Sequence, residues 1–586
     1  MRNVVLIVTC LVFATSALHA GEKARKPNIV IILSDDQGWG DFSINGNKNL
    51  KTPNLDEIAR RGAMFDRFYV QPVCSPTRAE MLTGRYHPRG GVRGVSTGLE
   101  RLNVGEFTIA QLLRAIGYRT GMIGKWHNGS QWPYHPNARG FEDYYGFTSG
   151  HWGEYFDPPL EHNGKPVRGK GYIADHFTDK AIEFIDKHKA EPFLLYVAYN
   201  TPHSPFCVPD EDWDRFKNRP IEQRVVDGDK EDLAVTRCVL AMCENLDRNV
   251  GRILRRLEEL NLADDTIVIF FCDNGPNSVR WNGGMRGRKG STDEGGVRSP
   301  CFVRWPGKIA PGTVIPQIAG AIDLMPTVAG LTKAPLPKDK MLDGRDLSPL
   351  LLGKKVDWPE RMIFSSVGGK VSVRTQQHRL DAAGQLYDMQ ADPGQTKDVS
   401  RANPEITRKL QQAIADWRKE MPFSKKDDRP FPVGYAEFPM TPLPARDGIP
   451  QGGIRRSANA PNCSYFTNWK SKDDAMTWDI DVHTAGQYRA EILYTCAAKD
   501  VGSTIELRFK HAKTSAKVTQ AWDPILLDKQ DRVPRKGESY LKEFRTLELA
   551  PVMLEKGRGI LTLRAIEIRG DQVMDVRAVR LTLVGK

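Results

Sequence analysis

Cysteine is scarce: the chain has nine in 586 residues, and no two stand in a C-x-x-C pair. That excludes a small disulfide-framed fold and the paired-thiol zinc sites. Cys463 and Cys496 share the last region and are the candidate disulfide. Beyond the first twenty residues no long apolar run occurs, so no later segment is fit to span a bilayer. Internal repeats are absent too, which removes solenoid and propeller architectures. Lys and Arg number 84 against 72 Asp and Glu, a net charge of +12. A surplus of this size suits acidic partners and equally suits simple solubility, so alone it selects no function.

What is present begins with an export signal over residues 1–20. Arg2 supplies the positive start, Val4 to Ala14 is apolar but too short to cross a membrane, and small residues lead to Ala17 and Ala20. The mature protein is expected to be exported, periplasmic or extracellular. The length calls for two or three folded units. From 26 to 334, short apolar runs alternate with helical segments, the pattern of an α/β sheet with crossover helices. Residues 335–421 read as a smaller α+β unit with a helix near Pro404–Lys419. Residues 422–454, with Pro430, Pro432, Pro439, Pro442, Pro444 and Pro450, read as an extended linker. From 455 to 586, short alternating strands predict a β-sandwich.

In an open parallel sheet, ligands gather beyond the carboxyl ends of the strands. Here the run Asn28–Leu33 ends in Asp35-Asp36. Tyr118–Ile123 leads to Lys125 and His127, Phe193–Tyr199 to His203, and Thr266–Phe271 to Asp273-Asn274. Four strands thus deliver ionisable or metal-binding groups to one rim. Asp35, Asp36, Asp273 and Asn274 offer only oxygen donors, a set for a hard cation such as Ca²⁺ or Mg²⁺. Paired Asp residues also cap loops, a reading that weakens once both pairs meet at one edge. Pro76 and the helix formers after it place Cys74 at a helix N-terminus, where unpaired N–H groups favour an anion. Arg78 adds a forked donor in the same turns.

The segment Cys74-Ser75-Pro76-Thr77-Arg78-Ala79-Glu80-Met81-Leu82-Thr83-Gly84-Arg85 is similar to the signature of type I sulfatases, members of the alkaline phosphatase superfamily. Gly124-Lys125-Trp126-His127, Thr201-Pro202-His203, Asp273-Asn274-Gly275 and Lys289 before Glu294-Gly295-Gly296 resemble the same family. The likeness runs from about residue 26 to 420. It implies a large catalytic domain with a mixed, mostly parallel sheet, then the small α+β unit, with the sandwich as an addition. It also implies that Cys74 becomes Cα-formylglycine through a formylglycine-generating enzyme. One Ca²⁺ would lie on Asp35, Asp36, Asp273, Asn274 and position 74.

In that scheme one hydroxyl of the hydrated aldehyde attacks sulfur and displaces the alcohol, aided by Arg78, Lys125 and Lys289. His203 protonates the leaving group or binds the sulfate, and His127 takes the proton that releases sulfate. The implied partners are a sulfated carbohydrate or aryl sulfate, with no nucleic acid and no membrane span. Asn128, where the family often has leucine, and the aromatics Trp132, Tyr134, Trp152 and Tyr155 are candidate substrate contacts. The sandwich weakly resembles carbohydrate-binding modules. Two other functions stay open at this point: a phosphate or phosphonate ester hydrolase, and a catalytically dead carbohydrate-binding protein.

Overall fold

The computed structural model of the chain describes residues 25–225, 230–423 and 427–585. The expected signal sequence lies outside them. Asn28–Ser34 is buried at every position, as a strand covered on both faces must be. It runs parallel to Phe193–Ala198 on one side and Thr266–Cys272 on the other. Arg119–Lys125 and then Asp143–Phe147 continue the parallel pairing. Cys301–Arg304 enters antiparallel at one side, followed by Ala63–Phe65 and Thr313–Ile315, and the hairpin of Pro159–His162 with Lys165–Arg168 closes the other, completing ten strands. The sheet is therefore mixed and mostly parallel.

Alternate residues of the central strand belong to two separate cores. Val30 and Ile32 pack with the helices Pro53–Arg60, Ile173–His188 and Leu233–Glu259. Ile29, Ile31 and Leu33 pack with Cys74–Thr83, Ile109–Ala115 and Leu324–Thr332. Each such fully buried aliphatic side chain contributes about 1.5–3 kcal/mol. Two-sided packing fixes the strand register and so fixes where each strand ends.

The smaller unit is a four-stranded antiparallel sheet, Ile363–Val367 to Leu386–Asp388, covered by the helix Pro404–Glu420 through Leu410 and Trp417. The last unit is a sandwich of a six-stranded and a seven-stranded sheet around Trp469, Trp478, Tyr488 and Leu563.

Two expectations change. The proline-rich stretch is not a linker along its whole length, because Phe431–Val433, Met440–Pro444 and Ile449–Gln451 are strands of the sandwich. Each pairs with a single neighbour, and at a sheet edge a proline's missing N–H costs no ladder bond. Nor do Cys463 and Cys496 pair: both thiols are free, one donating to the His151 carbonyl at 3.0 Å and the other lying in the sandwich core.

Candidate active site

The expected rim residues converge. Asp35 and Asp36 follow the first strand, Asp273 and Asn274 follow Thr266–Cys272, and all four are buried. The helix Cys74–Thr83 is fastened to this edge twice: Thr77 Oγ1 donates to the Asp273 carbonyl at 2.6 Å, and Arg78 Nη2 reaches Asp273 Oδ2 at 2.8 Å. Arg78 Nη1 also donates to the Lys125 carbonyl at 2.8 Å, tying in a third element. Cys74 Sγ and carboxylate oxygens of Asp35 and Asp273 lie within 4.8 Å of one another. Lys125 Nζ is 2.5 Å from Asp35 Oδ2, and Lys289 Nζ is 2.7 Å from Asp36 Oδ1. His203 Nε2 approaches Asp36 Oδ2 at 3.4 Å.

Three anionic groups packed beside three cations give opposed electrostatics. Burial resists the charge of Asp35, but Lys125, His203 and Arg78 outweigh it and hold that carboxyl below its usual range. Burial likewise resists the charge of Asp36, which Lys289 and His203 stabilise. For Asp273, burial and the neighbouring Asp35 prevail over Arg78 and push the carboxyl up to about 7. Burial raises the Cys74 thiol. Burial, then Lys125, hold His127 well below the ordinary histidine range. His127 Nε2 lies 2.8 Å from the Val95 carbonyl and must carry a proton to bond it, so buried Nδ1 keeps a free lone pair.

Whether a hard cation fits can be tested on the oxygens left over. Asp35 Oδ1 and Asn274 Oδ1 are buried acceptors with no hydrogen-bond partner. Orphaned acceptors beside crowded carboxylates are costly in a native core and are what a bound divalent cation would satisfy. The donor set fits.

Backbone conformation marks the same residues. Asp36 and His127 both sit at φ 64°, in the left-handed region that non-glycine residues avoid and that functional sites tolerate. No sequence signal announced that.

Other candidates fall elsewhere. Asn128 is fully buried and donates to the Ser75 carbonyl at 3.2 Å, which ties it to the helix that begins at Cys74. Trp132 stacks on Phe438, Tyr134 lies against Arg101, and the Tyr155 hydroxyl donates to the carbonyls of Asn200 and His203. None of these lines the cavity of about 490 Å³ into which Asp36, His203 and Lys289 face, and Cys74, Arg78, Lys125 and His127 lie behind its wall. Trp152 lines a separate cavity of about 550 Å³ between the catalytic unit and the sandwich. Residues missed from sequence are His151, whose Nδ1 is 3.4 Å from His203 Nδ1, and Arg280, which donates to the Asp36 carbonyl at 2.9 Å. Neither belongs to a local motif; both arrive through tertiary packing.

A family model described as Sulfatase matches residues 27–334, and one described as N-sulphoglucosamine sulphohydrolase, C-terminal, matches 289–420. Arylsulfatase A of Homo sapiens is 33% identical over 475 residues, covering 68% of this chain and 89% of that protein. N-acetylgalactosamine-6-sulfatase of Mus musculus is 33% identical over 386 residues, covering 60% and 71%. The solved structure of Ps i-CgsB in complex with k-i-k-neocarrahexaose aligns at TM-score 0.62 and 31% identity, covering 68% of this chain and 94% of its own.

Proposed function

Because the chain belongs to the type I sulfatase family, and is a sulfatase on that ground, we propose that it cleaves the sulfate ester of a carbohydrate. It would do so with a formylglycine at position 74 and one Ca²⁺. The observation that carries the reading is the convergence of Cys74, three carboxylates, three cations and the orphaned oxygens of Asp35 and Asn274 on one buried rim. The Cys74 thiol marks where the hydrated aldehyde would stand, with two hydroxyls on one carbon to serve as nucleophile and as the group that later releases sulfate. Ca²⁺, held by Asp35, Asp36, Asp273 and Asn274, would supply Lewis-acid polarisation of sulfate oxygens and of the bound hydroxyl.

The chain's own groups divide the remaining work. Arg78 is locked by Asp273 and the Lys125 carbonyl, so its position costs no reorganisation when charge develops nearby. Lys125 and Lys289 balance the charge of the transferring sulfuryl group. His203 faces Asp36 through Nε2 and opens on the cavity, the place for a group that protonates the departing alkoxide. His127 presents an unprotonated Nδ1, the form a general base needs.

Carbohydrate is favoured as the substrate class by relatives named for N-acetylgalactosamine 6-sulfate and by a structural neighbour in complex with neocarrahexaose. Export is part of the same proposal. No helix among the described residues is long and apolar enough to cross a membrane.

The test is sulfate release from a panel of sulfated saccharides, an aryl sulfate and a phosphate monoester. The enzyme would be co-expressed with a formylglycine-generating enzyme and compared with Cys74→Ala. Sulfate release that the substitution abolishes is expected. Turnover of the phosphate ester alone, or activity indifferent to Cys74, would overturn the reading.

A further inference from the structure

The β-sandwich does not hang from the catalytic unit. A strap between its strands, residues 531–541, lies across the segment that follows His203. The Arg532 N–H donates to the Phe206 carbonyl at 2.9 Å, and Arg532 Nη2 to the Val208 carbonyl at 2.7 Å. Cys207 Sγ donates to Asp531 Oδ1 at 3.0 Å, and Arg535 Nη2 to the Gly153 carbonyl at 2.9 Å. Val533 is buried within the catalytic unit's own hydrophobic core. The strap is thereby an integral wall of the cavity that holds Asp36, His203 and Lys289.

That wall carries a carboxylate. Glu538 lines the cavity, largely buried, and its Oε1 accepts from Ser204 Oγ at 2.6 Å and lies 3.5 Å from His151 Nδ1. Burial resists its charge, but His151 and His203 hold the carboxyl below its usual range. Oε2 takes no hydrogen bond from any described residue, and it is not sealed from the cavity as the buried orphans of the metal cluster are. An ionised carboxylate facing a substrate cavity repels a second sulfate and requires hydroxyl donors. The same cavity is lined by Lys289 and His203, the groups assigned to the sulfate ester in the reading above.

We propose that the sandwich supplies one wall of the substrate pocket, and that Glu538 is a specificity-determining residue. It would accept hydrogen bonds from a hydroxyl of the sugar ring that bears the sulfate. The inference rests on the sulfatase reading above and narrows it: the group beside the ester is a hydroxylated ring, which a simple aryl sulfate is not.

The experiment compares wild type, Glu538→Gln and Glu538→Ala, as full-length matured chains. The probes are galactose 6-sulfate, N-acetylgalactosamine 6-sulfate and 4-nitrophenyl sulfate, with thermal unfolding run in parallel. A lost hydrogen bond to a charged group corresponds to about 10- to 100-fold in kcat/KM. That loss is expected on the better saccharide for Glu538→Ala, a smaller one for the near-isosteric Gln, and less than about 3-fold on the aryl sulfate. Equal losses on both kinds of probe would place Glu538 behind His203 through Ser204 and overturn the proposal. So would an unchanged saccharide rate, or a wild type that turns over the aryl sulfate and neither sugar. Absence of sulfate release from all three probes by the wild type would instead sink the sulfatase reading itself.

Discussion

Two buried charge clusters touch each other behind the same strand ends, and they are built to opposite rules. In one, Arg280 grips Asp41 with Nε at 2.9 Å and Nη2 at 2.6 Å, while Nη1 donates to Ser278 and the Gly38 N–H adds a bond to Asp41 at 2.8 Å. No polar atom of either side chain is left orphaned. In the other, Asp35, Asp36 and Asp273 share three cations, yet Asp35 Oδ1 and Asn274 Oδ1 have no partner. A cluster that satisfies itself holds the fold; one with crowded carboxylates and spare acceptors keeps the donors that a cation would take. Burial and charge alone do not tell the two apart. The unspent lone pairs do.

The contrast breaks most visibly at Arg280. Arg280→Met leaves Asp41 charged, buried and unpaired, and a loss of about 3–5 kcal/mol in unfolding free energy is expected by denaturant titration. Asn274→Ala tests the other cluster. It removes an orphaned acceptor but also the Nδ2 donor that bonds Asp36 Oδ1 at 2.7 Å, so the metal-free protein should lose about 1.5–3 kcal/mol. The Ca²⁺-dependent gain in stability of the parent, about 2.7 kcal/mol at a hundredfold excess over Kd, should disappear. A variant that kept the full Ca²⁺ response would remove Asn274 from the ligand set.

A third effect concerns pH. Folded and metal-free, the Asp273 carboxyl is raised from 3.8 to about 7, so the folded state holds a proton that the unfolded chain has released. Stability from this group therefore falls as pH rises from the ordinary carboxylate range to about 7, and is level above it. Thermal unfolding of chelated protein should show this decline. Saturating Ca²⁺ or Asp273→Asn should flatten it.

Much of the catalytic unit is legible in sequence because its information is local. Continuous apolar runs such as Asn28–Leu33 can only be strands covered on both faces, and polar residues at their ends must share an edge. Asp35, Asp36, Cys74, Lys125, His203, Asp273 and Lys289 lie together there in the structure. What escaped is non-local or permissive. The prolines of 430–450 read as a linker because proline is hostile to a sheet interior, whereas an edge strand accepts it. The strap around Asp531–Leu541 is polar and aperiodic, and its importance lies in contacts with residues more than three hundred positions earlier. Aromatics such as Trp132 and Tyr134 looked like sugar platforms, but composition cannot say which face they pack against.

Val533, seated in the catalytic core, also sets an order of events during biosynthesis. Cys74 ends 3% exposed, inaccessible to any modifying enzyme once the chain is folded. Yet the strap that completes the core emerges about 460 residues after Cys74, roughly 25 to 90 s later at ribosomal speeds. Under the maturation proposed above, that interval would be the time in which Cys74 could be converted before the strap seats Val533 in the core.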